Sequence, residues 1–135
     1  MILNRIMNAI KVLKEDTADS GWISAELSDK ITASTSGDLS GIRYRKIGNH
    51  IYIEGRIICT YQESNITLNA TALASEYRPT TNTSFFMQVN GTKIARGYVN
   101  TSGNIILEWI VNISDGSYYE TQVSWLYFNV DYFVD

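Results

Sequence analysis

The chain has 135 residues, of which 44% are hydrophobic and 19% charged, and its formal net charge is −3. This length suits one domain with a single hydrophobic core. The one cysteine, Cys59, excludes an internal disulfide and leaves too few soft ligands for a structural zinc site. No apolar run reaches the roughly 18 residues of a membrane span, and the N-terminus lacks a signal-peptide pattern, so we expect no membrane insertion.

Residues 2 to about 14 carry the helical pattern. Leu3, Ile6, Ile10 and Leu13 are spaced three, four and three residues apart, as the core positions of heptad repeats are. Isoleucine at both types of core position favours three strands, so the stripe predicts a short trimeric coiled coil. The alternative is an amphipathic helix that packs on its own domain.

Two heptads are marginally stable alone, so the following domain must also contribute to a trimer. We therefore divide the chain into an N-terminal helix, stalk and linker over residues 1–18 and a β-sandwich head domain over residues 19–135.

From about residue 19 the hydrophobic pattern changes to period two, with turn signals every 8 to 14 residues. Gly48-Asn49 and Asn90-Gly91 are the clearest tight turns. The pattern predicts an all-β fold, an antiparallel β-sandwich behind a short N-terminal α-helix. The predicted strands cover residues 22–27, 41–47, 50–59, 65–71, 83–89, 92–99, 104–113 and 120–134.

Alternation along the strands assigns their two faces. Ile51, Ile53 and Ile57 point to one side of the third strand, and Tyr52, Glu54 and Arg56 point to the other. The last strand likewise separates Leu126 and Phe128 from Trp125 and Tyr127. Because the outward faces also carry aromatic side chains, they indicate a subunit interface or a ligand groove.

The run Tyr44-Arg45-Lys46-Ile47-Gly48-Asn49-His50-Ile51-Tyr52-Ile53-Glu54-Gly55-Arg56-Ile57 is followed by Leu73-Ala74-Ser75-Glu76-Tyr77-Arg78-Pro79. In this order, with Asp19-Ser20-Gly21-Trp22-Ile23 before and Thr101-Ser102-Gly103-Asn104-Ile105 after, these motifs resemble the C-terminal head domain of phage tail-fibre, baseplate and receptor-binding proteins. The departures are Ala74, where the family has proline, and Glu76, where it has glycine.

The resemblance implies a jelly-roll-like, homotrimeric head on the bacteriophage virion, made in the bacterial cytoplasm. It implies host adhesion through carbohydrate binding to a host cell-surface glycan, and attachment to other tail or baseplate proteins through the N-terminal helix. A structural tail or baseplate component without sugar binding is the alternative, and a tail-associated glycan depolymerase is a third possibility.

The residues offer little catalytic chemistry. His50 is the one histidine, and the carboxylates Glu63, Glu76, Glu108, Asp115 and Glu120 are scattered. Three copies of His50 could meet on a trimer axis and hold a metal, but a surface or interface role is favoured. We expect no enzyme activity, no cofactor and no metal. No Lys or Arg follows Arg96, so the acidic C-terminal third also predicts no nucleic-acid partner.

The alternation of successive loops between the two ends of the strands suggests a location for the ligand. If consecutive strands are antiparallel, the loops 48–49, 72–82 and 100–103 lie at the helix end, which we call proximal. The loops 28–40, 60–64, 90–91 and 114–119 lie at the opposite, distal end. Neutral sugars need aromatic rings together with carboxylate and amide groups. The distal loops supply the predicted saccharide-binding residues, or residues that pack between subunits: Tyr61, Gln62, Glu63, Asn90, Asp115, Tyr118 and Tyr119.

Overall fold

The computed structural model describes residues 2–16, 18–34, 40–59, 64–89, 91–117 and 124–135, with the side chains of α1 described as far as Ile10. Within these ranges one α-helix precedes nine strands, and a 3-10 turn lies at Ser75–Tyr77. The elements are α1 (Ile2–Asp16), β1 (Ile23–Ala25), β2 (Ile31–Ala33), β3 (Gly41–Ile47), β4 (His50–Cys59), β5 (Ile66–Thr67), β6 (Thr83–Val89), β7 (Lys93–Val99), β8 (Ile105–Asn112) and β9 (Ser124–Phe133).

The strands form two layers of one continuous antiparallel sheet, in the order β1-β3-β4-β9-β6-β7-β8-β5, with β2 beside the end of β4. The layers β1-β3-β4-β9 and β6-β7-β8-β5 are joined through two residue pairs between β6 and β9, Gln88 with Tyr127 and Val89 with Leu126. The all-β, antiparallel prediction is therefore confirmed, and the two sandwich layers are halves of a curled sheet.

The two edges of the sheet meet on the other side. Leu27 pairs with Asn69. The Ser28 N–H donates to the Leu68 carbonyl at 2.9 Å, and the Ala70 N–H donates to the Glu26 carbonyl at 2.8 Å. These contacts tie the segment after β1 to the segment after β5, so the curled sheet closes around its interior.

One hydrophobic core fills the space between the layers. The inward residues of β4 and β9 alternate as predicted, with Ile51, Ile53 and Leu126 fully buried. The rings of Phe85 and Phe128 stack across the interior with centroids 5.1 Å apart. Gly55 makes room for this stack, because a Cβ at that position would lie 2.2 Å from Cε1 of Phe128.

The proximal end is held by the loops that carry the resemblance. The Gly48 N–H donates to the Ala18 carbonyl at 2.8 Å, which places the residues after α1 beside the tight turn between β3 and β4. The Leu73 N–H donates to the Gly103 carbonyl at 2.9 Å. Gly103 has φ +86, and a Cβ there would lie 2.7 Å from the Leu73 carbonyl oxygen. The Tyr132 hydroxyl donates to the Tyr77 carbonyl.

Most strand predictions are confirmed, and two segments differ from them. The loop expected at residues 28–40 contains β2, whose residues Ile31 and Ala33 pair with Cys59 and Ile57. The strand expected at residues 65–71 has only two residues, Ile66–Thr67. Such short strands owe their conformation to neighbouring strands and leave little periodicity in the sequence.

The apolar stripe of α1 faces solvent. Leu3 is 70% exposed, Ile6 is 50% exposed and Ile10 is 42% exposed. All the described side chains of the helix, residues 2–10, are exposed. The alternative in which this stripe packs on its own domain is therefore wrong for these residues. Leu13 lies within α1, but its side chain is outside the described part of the helix.

Candidate functional site

The ends of the strands that border three of the predicted recognition loops lie at the distal end. Cys59 pairs with Ser124 there, Val89 pairs with Leu126, and Lys93 pairs with Asn112. Of the seven predicted saccharide-binding residues, only Asp115 belongs to the described part of the chain. The other predicted residues lie outside it: Tyr61, Gln62, Glu63, Asn90, Tyr118 and Tyr119.

Asp115 stabilises its own turn. Its Oδ1 accepts hydrogen bonds from the Ser117 backbone N–H at 2.9 Å and from the Ser117 hydroxyl at 2.7 Å. These two bonds, the hydroxyl bond first, lower the pKa of the Asp115 carboxyl. The side chain is exposed, so it combines a local structural contact with access to solvent.

A second polar surface lies on the outer face of β3, β4 and β9. Three cross-strand rows follow from the register, and each row brings one residue of each strand side by side. The rows are Ile47–His50–Phe133, Arg45–Tyr52–Asp131 and Arg43–Glu54–Asn129. Sequence alternation identified several of these residues as outward-facing, but it did not bring the three strands together.

Arg43 links Trp22 to Glu54 on this surface. Its guanidinium lies over the Trp22 ring, 4.2 Å from the centroid. Its Nε and Nη2 both donate to Oε2 of Glu54, at 3.1 Å and 2.8 Å. The indole therefore supports a guanidinium that in turn holds the Glu54 carboxylate.

Arg45 makes a similar arginine–carboxylate ion pair, with Asp19, at the proximal end. Its Nε donates to Oδ1 of Asp19 at 2.8 Å, and its Nη2 donates to Oδ2. The side-chain bonds from Arg45 and the backbone N–H of Gly21 lower the pKa of Asp19 to about 2. Asp19 also pairs with Ile47 through a β-bridge, so this bidentate contact fixes the chain where it enters the head.

His50 lies between two aromatic rings. Its ring is 4.1 Å from that of Tyr52 and 4.2 Å from that of Phe133, between centroids. Nε2 is 2.7 Å from Oδ2 of Asp131, and Nδ1 is 2.9 Å from the Tyr52 hydroxyl. Both ring nitrogens are thus engaged by side chains of the same chain. Among the residues that the structure describes, no group of three His, Cys, Asp or Glu side chains could hold a metal ion.

A groove of about 230 Å³ runs between two of the rows. Tyr52 and Asp131 line one side, and Glu54 and Asn129 line the other. Ile53 and Val130 also line the groove, but their side chains are buried in the core, so their backbone forms the floor. In the sequence this groove is indicated only by polar residues that alternate with apolar ones, in two strands that lie far apart along the chain.

A separate apolar patch lies near the distal end of the other layer, on the outer side of β6 and β7. Phe86 and Ile113 are both 65% exposed, and they line a wider groove of about 420 Å³ together with Gln88 and Ile94. Trp125 lies nearby and lines a smaller groove with Gln88. Exposed apolar surface of this kind is typical of protein interfaces.

Comparison with known proteins finds solved structures of similar fold. No family model matches the sequence, and no curated protein matches it. The chain is similar to the crystal structure of the receptor binding protein (gp15) of Listeria phage PSA, with a TM-score of 0.61. The match covers 98% of this chain and 74% of that chain at 15% identity. The similarity is one of fold.

The helix of the described structure is not a membrane span. Across the described residues, no helix combines the length and the apolar character needed to cross a bilayer.

Proposed function

We propose that this chain is the head of a phage tail or baseplate receptor-binding protein, and that it recognises a host cell-surface saccharide as a homotrimer. The observation that carries the proposal is the fold similarity to a phage receptor binding protein over 98% of the chain. It agrees with the motifs of residues 44–57 and 73–79. The proposed place of action is the virion, and the proposed role is binding without catalysis.

The exposed stripe of α1 supports the trimer. Leu3, Ile6 and Ile10 leave a large apolar area in water, and burying each of these side chains is favourable by about 1.5–3 kcal/mol. Three copies of residues 1–18 would form the stalk, with Leu13 as a further core position. Residues 19–135 would form the head, and the stalk would connect it to other tail or baseplate proteins.

The difference between the two ends of the domain supports a structural role for the proximal end and a recognition role for the distal end. The proximal end contains the family-like loops, which are fixed by bonds such as that from Arg78 Nε to the Leu73 carbonyl at 2.7 Å. We propose that the opposite end carries the loops that contain the predicted recognition residues. A stalk at one end therefore leaves the other end and the sides of the head facing the host.

A structural tail component without sugar binding is the second candidate. The distal apolar patch around Phe86 and Ile113 favours it, because such a surface suits a protein partner better than a hydrophilic sugar. A glycan depolymerase is a third candidate, and release of soluble products from host glycan would identify it.

Two measurements test the proposal. Size-exclusion chromatography with light scattering should give three times the mass of the chain, and a monomer would contradict the trimer. Binding to a glycan array and to host cells should be detectable for the wild-type protein. Complete absence of binding at millimolar saccharide would favour the structural role instead.

A further inference from the structure

The groove on the outer face of β4 and β9 has hydrogen-bonding capacity that its own side chains do not use. Arg43 directs both of its bonds to Oε2 of Glu54, and His50 contacts only Oδ2 of Asp131. Within the described residues, Oε1 of Glu54, Oδ1 of Asp131 and the side-chain amide of Asn129 have no bonding partner. The groove is thus lined by two carboxylate acceptors and by one amide that can both donate and accept.

The two carboxylates are held by neighbouring side chains before any ligand arrives. Arg43 rests on Trp22 and fixes Glu54, while His50 is stacked between Tyr52 and Phe133 and fixes Asp131. Because less side-chain freedom is lost on binding, a preorganised groove binds more tightly than a mobile one of the same composition.

The chemistry of the lining selects the class of ligand. Hydroxyl groups can donate to both carboxylates and exchange bonds with an amide, and Tyr52 adds aromatic surface for the apolar face of a sugar. Phosphate, sulfate or carboxylate groups would be repelled by Glu54 and Asp131. The volume of about 230 Å³ is below the roughly 300–1,000 Å³ of sites for drug-sized molecules, and so suits a single sugar ring.

We propose that the groove formed by Tyr52, Glu54, Asn129 and Asp131 binds one neutral hexose unit of the host saccharide. The inference rests on the proposed receptor-binding function, and it places a sugar contact on the side of the head in addition to the distal loops. One shallow groove gives weak affinity. Three copies in a trimer, repeated around a tail, raise the apparent affinity through effective concentration.

Titration of the full chain by ¹H–¹⁵N NMR tests this inference. The probes are glucose, galactose, rhamnose and N-acetylglucosamine at millimolar concentration, with glycerol 1-phosphate as the anionic probe. At least one neutral sugar should shift the backbone signals of Ile53, Asn129 and Val130. Glu54→Gln and Asn129→Ala should each weaken binding roughly tenfold or more, because the first replaces a charged acceptor by a neutral amide and the second removes a hydrogen bond to the sugar.

Glu108→Gln is the control variant. Glu108 also pairs with an arginine, at 3.2 Å from Nε of Arg96, but it lies on β8 and outside the groove. This variant should bind the sugar as the wild type does. The signal dispersion of each spectrum reports whether the variant is folded, and a folded Glu54→Gln with unchanged affinity would overturn the inference.

Other outcomes separate the inference from the function beneath it. If the wild type binds host saccharide but only distal signals shift, the groove proposal fails and the receptor-binding function stands. If glycerol 1-phosphate binds the groove better than every neutral sugar, the proposed ligand class is wrong. If the outward side chains of β4 and β9 are shielded from a soluble paramagnetic probe in the trimer without sugar, that face is a subunit contact and the proposal fails. If the wild type binds no host glycan at all, both proposals fail.

Discussion

Asn69 offers the most direct test of how the curled sheet closes. The residue is 2% exposed. Its Oδ1 accepts from the Ile105 N–H at 2.8 Å, and its Nδ2 donates to the carbonyls of Thr71 and Gly103, both at 3.0 Å. One side chain thus connects the closing edge after β5 to the beginning of β8 and to the proximal turn before it.

Asn69→Ala should be strongly destabilising. Leaving the buried Ile105 N–H without an acceptor costs about 1–3 kcal/mol, and each of the two lost bonds from Nδ2 costs about 0.5–1.5 kcal/mol. We expect a loss of about 4 kcal/mol, which is a large part of the roughly 5–15 kcal/mol available to a domain. Urea denaturation should show a lower midpoint with an unchanged slope. Asn82→Ala is the control, because Asn82 is exposed and accepts one long bond, from Thr101 N–H at 3.3 Å.

Asn69→Asp separates geometry from charge. The aspartate keeps an acceptor for Ile105 but directs its second oxygen at two carbonyl oxygens. The folded state therefore favours the protonated acid and raises its pKa above the unfolded value of about 3.9. The loss in free energy of unfolding relative to wild type should be smallest below about pH 4. It should grow as the pH rises through the raised folded-state pKa. A loss under 1 kcal/mol in Asn69→Ala, with the Ile105 amide still protected from hydrogen exchange, would refute the role of Asn69.

Three further predictions concern the core, the entry to the head and the stalk. Gly55→Ala should lower the free energy of unfolding by about 1–3 kcal/mol through the clash with Phe128. Phe128→Leu should relieve part of that loss in the double variant. Additive effects of the two substitutions in urea denaturation would contradict the clash. The depressed pKa of Asp19 stabilises the fold above about pH 4, and this contribution is lost as the pH falls to about 2. The melting temperatures of wild type and Asp19→Asn should therefore converge over that range, and a constant gap would argue against the ion pair. Ile6→Asp should raise the protein concentration at which the trimer dissociates to monomers in light scattering, while Asn8→Asp, which lies outside the apolar stripe, should not. An unchanged dissociation of the Ile6→Asp trimer would contradict the stalk.

Much of the fold could be predicted because the long strands carry their own periodicity. Ile51, Ile53 and Ile57 alternate with polar residues over the whole of β4, and two glycine-containing turns separate the central strands. The short elements could not be predicted this way. β2 and β5 have three and two residues, and their conformation depends on pairing with β4 and β8, which lie far away in sequence.

The lateral groove could not be predicted for a related reason. Its lining side chains come from both strands, Tyr52 and Glu54 from β4 and Asn129 and Asp131 from β9, so it exists only when these strands are neighbours in the right register. Alternation showed that such residues point outward, but a shift of one residue would move one set to the core face. The strand ends at the distal side could be assigned from the sequence, because they follow from strand direction alone; the placement of the predicted recognition residues there stays a prediction.

The bridge between Leu27 and Asn69 also limits how the head can bind other proteins. The edge strands, β1 and β5, are only three and two residues long, and the segments after them bond to each other. Along these two edges, an incoming peptide therefore finds almost no free row of backbone donors and acceptors among the described residues on which to add as another strand. Recognition there must use side chains and loops, whose specificity can change through single substitutions without altering the sheet. The same short edges protect closely spaced heads from edge-to-edge aggregation.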